Sequence, residues 1–333
     1  MNRHALSRRH AITLTLAVSA ACSLPAHSQA QAANFPSRPV RIIVGFPAGT
    51  GPDIVARLLA QKLSEGWNNM GVIVDNKPGA GGLIAATEAA RSPADGYTLM
   101  LGETGQLSIA PSSYTKLAYD PVQDFAPVSQ VVTSDFMLLV NPQKVPARTV
   151  KEFVDWSQKQ NGLFMGTFGA GTPGHFGAYL FGDAIGQKPT PVHYKSTGDA
   201  LSGIFGGDIA GVFASVGLAA PNVKAGKLVA LASSGDQRAQ ALPDVPTFKE
   251  QGYPQLVFNS WFGIVAPSKT PPAIVAKLSA DIQKAMKSPD GRAKMEDAGF
   301  RVTGTTGAEF ATIMAADTRT WGKAVAATGF KAD

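Results

Sequence analysis

Two glycine-rich turns carry the residues best suited to chemistry in this chain. The first, at residues 47–53, follows the β-branched run Val40–Val44 and precedes apolar residues at positions 54, 55, 58, 59 and 63, so it is predicted to join a buried strand to a helix. The first amides of a helix have no intrahelical partner, and the helix dipole adds partial positive charge there. This turn is therefore predicted to bind an anion such as a carboxylate or phosphate. Pro52 suits the first helical turn, and Asp53 either favours the helix start electrostatically or orients the loop.

The second turn, Gly169-Ala170-Gly171-Thr172-Pro173-Gly174, has the spacing G-x-G-x-x-G between a predicted strand and a predicted helix. A dinucleotide-binding fold also needs an acidic residue about 20 positions later, at the end of the next strand, to bind the ribose. That strand ends instead at His193-Tyr194-Lys195, which argues against NAD. Two such turns facing each other across a cleft would hold a carboxylate ligand through backbone donors.

Catalytic and metal-binding functions find little support in the sequence. His175 and His193 are the only histidines after residue 33, and that part of the chain has no cysteine, no G-x-S-x-G and no H-E-x-x-H. His175 heads a predicted helix, where it either contacts ligand or caps and packs, whereas His193 in an apolar strand is predicted to be structural. No spacing is typical of a metal site. We expect no enzymatic activity, no metal and no cofactor.

Three other side chains allow two interpretations each. Glu103 follows a predicted strand, so it either accepts a ligand hydroxyl or amine or is a solvated loop acid. Trp261 and Phe262 follow Asn259 and Ser260, and they either wall the cleft or fill the core.

The N-terminus predicts export. Residues 1–33 contain three arginines, no acidic residue and the apolar run Ala11–Ala21, which together are typical of a cleavable signal peptide with cleavage between about Ala30 and Ala33. Cys22 raises the alternative of a lipoprotein, but Ser19 stands where a lipid-attachment box would have Leu or Val. A plain export signal and a periplasmic location are therefore predicted.

Composition excludes one class of partner. Without the three leader arginines, 27 basic residues face 24 acidic ones, a net charge of +3, and no Lys/Arg block stands out. Nucleic-acid binding is therefore not expected. The length of 333 residues favours about two domains, and a mature chain without cysteine must rely on its core rather than on disulfides.

Predicted strands alternate with predicted helices, which favours parallel sheets with ligands at the carboxyl ends of the strands. The turn at residues 47–53 and the segment Gly102–Gln106 are therefore predicted to face the same crevice. The stretches Pro127–Val132 and Phe136–Val140 are predicted as two strands separated by Thr133-Ser134-Asp135. The α/β pattern starts again at Val150, which indicates a second lobe.

A series of motifs along the whole mature chain closely resembles the Bug family of periplasmic solute receptors, which serve tripartite tricarboxylate transporters. The motifs that carry this resemblance are Phe35–Val44, Phe46–Asp53, Asp75–Gly82, Ala94–Leu99, Tyr119-Asp120-Pro121, Asp124-Phe125, Lys224–Leu228, Ala241–Thr247, Ser260–Gly263 and Ala266-Pro267.

The resemblance implies a two-lobed α/β periplasmic binding protein of the Venus-flytrap, type II-like kind, each lobe a mainly parallel sheet flanked by helices. On this basis we expect a signal peptide at 1–33, lobe 1 at 34–135 plus 255–333 and lobe 2 at 136–254. We also expect a monomer that delivers its ligand to a membrane permease.

The resemblance further implies that a ligand carboxylate is held by backbone amides of both turns as the lobes close. The ligand-binding residues carried over are Phe46, Ala48, Gly49, Thr50, Gly51, Asp53, Gly169, Ala170, Gly171 and Thr172, with Ser134 and Glu103 as further candidates.

Three residues that depart from the family pattern indicate which class of carboxylate the site favours. Pro52 removes one amide donor, and Phe168 and Ala214 make the pocket more apolar, which favours an aromatic or aliphatic carboxylate over a small amino acid. The alternatives are a secreted α/β enzyme acting on carboxylates and a purely sensory binding protein.

Overall fold

A computed structural model describes residues 34–194 and 196–332. The predicted signal peptide lies outside these residues. Within them, no helix has both the length and the apolar character needed to cross a membrane.

The first part of the chain alternates strands and helices, as the sequence pattern predicts. Its elements are β1 (Val40–Val44), α1 (Gly51–Gly66), β2 (Val72–Asn76), a 3-10 turn (Ala80–Gly82), α2 (Leu83–Ala90), β3 (Thr98–Glu103), a π-helical turn (Gly105–Ile109), α3 (Ala110–Ser113) and β4 (Phe125–Val140).

The second part begins a new α/β series and ends in three helices. Its elements are α4 (Val150–Ser157), β5 (Leu163–Thr167), α5 (Pro173–Ala184), β6 (Pro189–His193), α6 (Thr197–Gly206), β7 (Gly211–Ser215), α7 (Val216–Lys224), β8 (Val229–Ser233), a 3-10 turn (Pro254–Leu256), β9 (Asn259–Pro267), α8 (Pro272–Lys287), α9 (Pro289–Asp297), β10 (Arg301–Val302) and α10 (Gly307–Thr328).

The strands form one continuous mixed sheet in the order β2-β1-β3-β9-β4-β7-β5-β6, with β8 and β10 also paired to β4. Parallel pairing joins β1 to β2 and β3, and β5 to β6 and β7. The strands in the middle differ from the predicted parallel pattern, because β9 is antiparallel to β3 and β4, and β4 is antiparallel to β7 and β8. The parallel βαβ units therefore lie at the two ends of the sheet.

Strand β4 is a single strand of 16 residues, so the prediction of two strands separated by Thr133-Ser134-Asp135 is wrong. Its first part pairs with β9 as far as Asp135, and its second part pairs with β7 and β8 from Phe136 onward. The polar residues do not interrupt it because Ser134 lies opposite Ser260 in the ladder and Arg301 donates to the Asp135 carboxylate at 3.0 Å. Strand β4 thus connects the two halves of the sheet.

Both halves of the sheet are buried on both faces, which explains their continuous apolar runs. In β1, Ile42 faces one apolar cluster and Ile43 faces another. In β4, Leu138 and Met137 likewise contribute to two different clusters. Helices therefore cover both faces of each half of the sheet.

Candidate functional site

A cavity of about 80 Å³, here called the inner cavity, lies where the carboxyl ends of β1 and β3 meet those of β5 and β7. Ligands of open α/β sheets bind at such strand ends. The 47–53 turn and the end of β3 do face one crevice, because Phe46 and Glu103 both line it. The lining residues are Phe46, Thr50, Gly51, Pro52, Glu103, Phe136, Phe168, Thr172, Pro173, Gly174, Thr197, Phe213, Ser215, Leu218 and Phe262.

Four helices begin on the wall of the inner cavity. Gly51, Pro173 and Thr197 are the first residues of α1, α5 and α6, and Ser215 immediately precedes α7. Each helix start offers unpaired amides and partial positive charge, which stabilises an anion by about 0.3–1 kcal/mol and by up to about 2 kcal/mol when the site is partly buried. The convergence of four starts makes the inner cavity suited to an anionic group.

A second cavity, here called the outer cavity, has a volume of about 510 Å³ and shares Phe46 and Phe168 with the inner one. Its lining residues are Gly45, Phe46, Pro47, Pro78, Gly79, Ala80, Gly81, Gly82, Tyr114, Phe168, Gly169, Ala170, His193 and Tyr194. Gly169 and Ala170 of the second turn therefore face the outer cavity.

The first turn presents the start of α1 to the inner cavity. The Thr50 hydroxyl donates to the Pro47 carbonyl at 2.6 Å, and the Ile54 amide donates to the Thr50 carbonyl at 3.0 Å. Pro52 has no amide hydrogen, and the helix has no side-chain cap, so Gly51 and Asp53 supply the amides without an intrahelical partner. Ala48 and Gly49 are exposed and line neither cavity.

Asp53 orients this loop from behind. Its carboxylate accepts hydrogen bonds from the Gly49 amide at 2.9 Å, from Asn76 at 2.9 Å and from Arg57 at 3.0 Å. Asn76 also donates to the Phe46 carbonyl at 2.9 Å, which ties the loop to β2. Burial opposes ionisation, but the hydrogen bonds outweigh it and hold the pKa of Asp53 below its usual range. The loop-orienting interpretation of Asp53 matches these contacts, and the Gly49 amide is already in use.

The second turn is held by His175 and Thr172. The Gly171 amide donates to His175 Nδ1 at 3.1 Å, and Thr172 caps α5 by accepting from the His175 amide. Burial lowers the pKa of His175 to about 3, so its ring is neutral and can accept that hydrogen bond. Of the two interpretations of His175, capping and packing matches the structure. The turn therefore offers the inner cavity the amide of Gly174, the second residue of α5.

His193 combines a structural contact with exposure to the outer cavity. Its Nδ1 lies 2.6 Å from the Thr167 hydroxyl, and its ring centroid lies 4.8 Å from that of His175. Among the described residues, no group of three or more His, Cys, Asp or Glu side chains is arranged to hold a metal ion.

Glu103 is buried, so its interpretation as a solvated loop acid is wrong. It is the last residue of β3, lies opposite Phe262 in the ladder and is 6% exposed. Its Oε1 has no hydrogen-bond partner, and burial raises its pKa to about 8. At neutral pH the inner cavity therefore contains a neutral carboxylic acid, and among the described residues of its lining no other is ionisable.

Several cavity residues were not predicted from the sequence. Thr197 lines the inner cavity with a buried hydroxyl that has no hydrogen-bond partner, and Ser215 stands at the start of α7. Thr197 begins a helix and Ser215 immediately precedes one, and Ser and Thr are common at such positions because they cap helices. A search of all predicted helix starts would therefore have found both residues.

Phenylalanines form the apolar part of the inner cavity, and they come from distant parts of the chain. They are Phe46, Phe136, Phe168, Phe213 and Phe262. Phe262 thus both walls the cavity and belongs to the core, whereas Trp261 packs against Phe310 and donates to Asp317. Ser134 is buried in β4 and lines neither cavity.

Comparison with known proteins identifies the family of this chain. The sequence model of the tripartite tricarboxylate transporter family receptor matches residues 55–330. Protein BugT of Bordetella pertussis is 32% identical over 256 residues, which cover 76% of this chain and 78% of BugT.

Two solved structures from Rhodopseudomonas palustris share the fold over nearly their whole length. MatC with bound malate is 30% identical, covers 87% of this chain and 100% of its own, and gives a TM-score of 0.81. A second protein with adipate is also 30% identical, covers 89% and 99% of the two chains, and gives a TM-score of 0.85. The chain belongs to the tripartite tricarboxylate transporter receptor family, together with the Bug proteins.

Proposed function

We propose that this protein is an extracytoplasmic receptor that binds a small organic carboxylate in the inner cavity and delivers it to the permease of a tripartite tricarboxylate transporter. The observation that carries the proposal is the convergence of four helix starts on one small cavity. Malate and adipate in the two related structures support a carboxylate as the ligand.

The donors in this proposal differ in part from those expected by resemblance. The amides of Gly49 and Gly171 already bind Asp53 and His175. The ligand carboxylate would instead take its hydrogen bonds from the starts of α1 and α5, where the amides of Gly51 and Gly174 have no intrahelical partner.

In this proposal the receptor has lobes at 34–135 plus 255–333 and at 136–254, and it acts as a monomer in the periplasm. Support comes from the sheet, whose two βαβ ends meet at β4 and β9. A ligand that contacts both α1 and α5 stabilises the closed arrangement, because only there does it meet both sets of donors. The aromatic lining favours a ligand with an apolar body.

The test is a thermal-shift screen of protein purified from the periplasm, against malate, adipate, benzoate and the matching neutral amides. A ligand at 100 times its Kd adds about 2.7 kcal/mol to the free energy of unfolding. We expect a higher Tm with at least one acid and no change with its amide, and we expect the acid to be recovered unchanged. Equal shifts with acid and amide, or shifts with neither, would contradict carboxylate binding at helix starts.

A further inference from the structure

The carboxyl group of Glu103 has no role in the receptor proposal as stated above. It is buried, it lines the inner cavity, and its Oε1 lacks a hydrogen-bond partner. A buried polar atom left without a partner lowers stability, so such an atom on a residue that lines a ligand cavity points to a partner that the ligand supplies.

The carboxyl tip of Glu103 lies beside the start of α5. A methyl group placed on Gly105 would lie 2.7 Å from Glu103 Oε1 and 3.6 Å from Cδ of Pro173, the first residue of α5. The tip is therefore near the amides that are proposed to bind the ligand carboxylate.

Among the described residues, no charged or hydrogen-bonding group changes the pKa of Glu103, which burial alone raises. On α5, His175 is neutral because burial lowers its pKa to about 3. Burial also raises the pKa of Tyr114 and of Tyr119, so neither phenol is ionised at neutral pH. The buried Asp53 binds Arg57, and the partly buried Asp317 accepts from Trp261, so both of these acids already have partners.

Burial alone raises the pKa of Glu103 to about 8. The side chain therefore carries an O–H donor at neutral pH, and an anion placed beside it would favour the proton further.

We propose that Glu103 binds the ligand as a neutral acid, donating its O–H to an oxygen of the ligand carboxylate. The site then selects ligands that place an anionic oxygen at this point. An ammonium group there would need an ionised Glu103 and would face four helix starts of partial positive charge. This inference rests on the proposed function and names the interaction that sets its specificity.

The proposal predicts how affinity depends on pH. Below pH 8, Glu103 is protonated in the free and bound protein, so the Kd stays constant. Above pH 8, the free protein loses the proton that the complex keeps, so binding must take up a proton and affinity falls by up to tenfold per pH unit. For a free pKa of about 8, affinity at pH 9.5 is about 30-fold lower than at pH 7.

The experiment measures the Kd of malate, adipate and benzoate by calorimetry from pH 6 to pH 9.5 in wild type, Glu103→Gln and Glu103→Leu. The Gln variant keeps a neutral donor, so we expect binding within about threefold of wild type at pH 7 and no loss at high pH. The Leu variant removes the donor and should bind at least about tenfold more weakly. Asp317→Asn is the matched control, because Asp317 is a partly buried acid with a raised pKa that lines neither cavity, and it should keep the wild-type pH profile.

The outcomes separate this inference from the receptor proposal. If none of the three acids binds wild type, carboxylate reception itself fails, and the role of Glu103 fails with it. If an acid binds with the same pH profile in wild type and Glu103→Gln, the receptor proposal stands and the Glu103 inference is overturned. Tighter wild-type binding as the pH rises would show that an ionised Glu103 is used, which also overturns it.

Discussion

The hydroxyl of Thr197 provides a sharp test of the inner cavity as the binding site. Its Oγ1 is buried and has no hydrogen-bond partner, and the residue lines the cavity at the start of α6. Thr197→Val replaces this hydroxyl by a methyl group of nearly the same size. The substitution therefore removes a donor from the ligand without removing a contact within the protein.

Thr197→Val is expected to weaken ligand binding without lowering the free energy of unfolding of the ligand-free protein. A hydrogen bond from a hydroxyl to a charged group contributes about 1.5–3 kcal/mol, so its loss should raise the Kd of a carboxylate about 10- to 150-fold. Removing an unpartnered buried hydroxyl should leave the free energy of unfolding unchanged or raise it by about 1 kcal/mol.

Thr172→Val is the matched control in the same cavity. The Thr172 hydroxyl donates to the Gly169 carbonyl at 2.9 Å and accepts from the His175 amide, so it is already used as a helix cap. Its loss should lower the free energy of unfolding by about 1 kcal/mol.

The assay combines calorimetry, for the Kd of whichever of malate, adipate and benzoate binds wild type, with urea unfolding of the ligand-free protein. Weaker binding by Thr197→Val at unchanged stability would support the site. Binding by Thr197→Val within twofold of wild type would refute the reasoning, because the free hydroxyl would then not face the ligand.

Three other predictions follow from the same contacts. Asp53→Ala should lower the free energy of unfolding by about 2–3 kcal/mol at pH 7. Because the native pKa of Asp53 is lowered, this contribution is present above about pH 4 and lost as the pH falls further, so urea unfolding should show the variant and wild type converging in acid. Gly51→Ala places a methyl group 3.3 Å from the Ser215 hydroxyl, so calorimetry should show affinity at least about tenfold lower at nearly unchanged stability. Unchanged affinity would show that the ligand does not approach the backbone at Gly51. The buried His175 stays neutral while the unfolded chain gains a proton below about pH 6.5, so wild type should lose about 1.4 kcal/mol of stability per pH unit from there toward pH 3. His175→Asn keeps an acceptor for the Gly171 amide and should remove that slope; an unchanged slope would place its cause elsewhere.

Much of the local structure could be predicted from the sequence because its signals are local. The strand, glycine turn and helix start at residues 40–66 and 163–184 lie close to their predicted positions. Helix α9 was not predicted because Pro289–Asp297 is mostly polar and has only one fully buried apolar side chain, Met295. Its position depends on a Ser288 cap and on packing against α1 and α8.

The carboxylate site stays a prediction: residues of both turns line a cavity, but not all of their amides are free. Sequence patterns indicate that amides at a helix start are unpaired, but they do not show which of them the protein itself uses. The Gly49 and Gly171 amides are taken by Asp53 and His175, each four residues later in the chain. Those hydrogen bonds depend on how the side chains turn back over the loop, which requires tertiary structure.

The sequence by itself determined the family, through motifs in a fixed order. It also determined the two glycine turns that lead into helices, because glycine, proline and capping residues act on neighbouring backbone. Only the tertiary structure decided what surrounds those turns. Phe46, Glu103, Thr197 and Phe262 share one cavity because the sheet order places β3 beside β9 and brings the ends of β5 and β7 to face them. The neutral state of Glu103 follows from this arrangement, since its raised pKa comes from burial by residues distant in the chain.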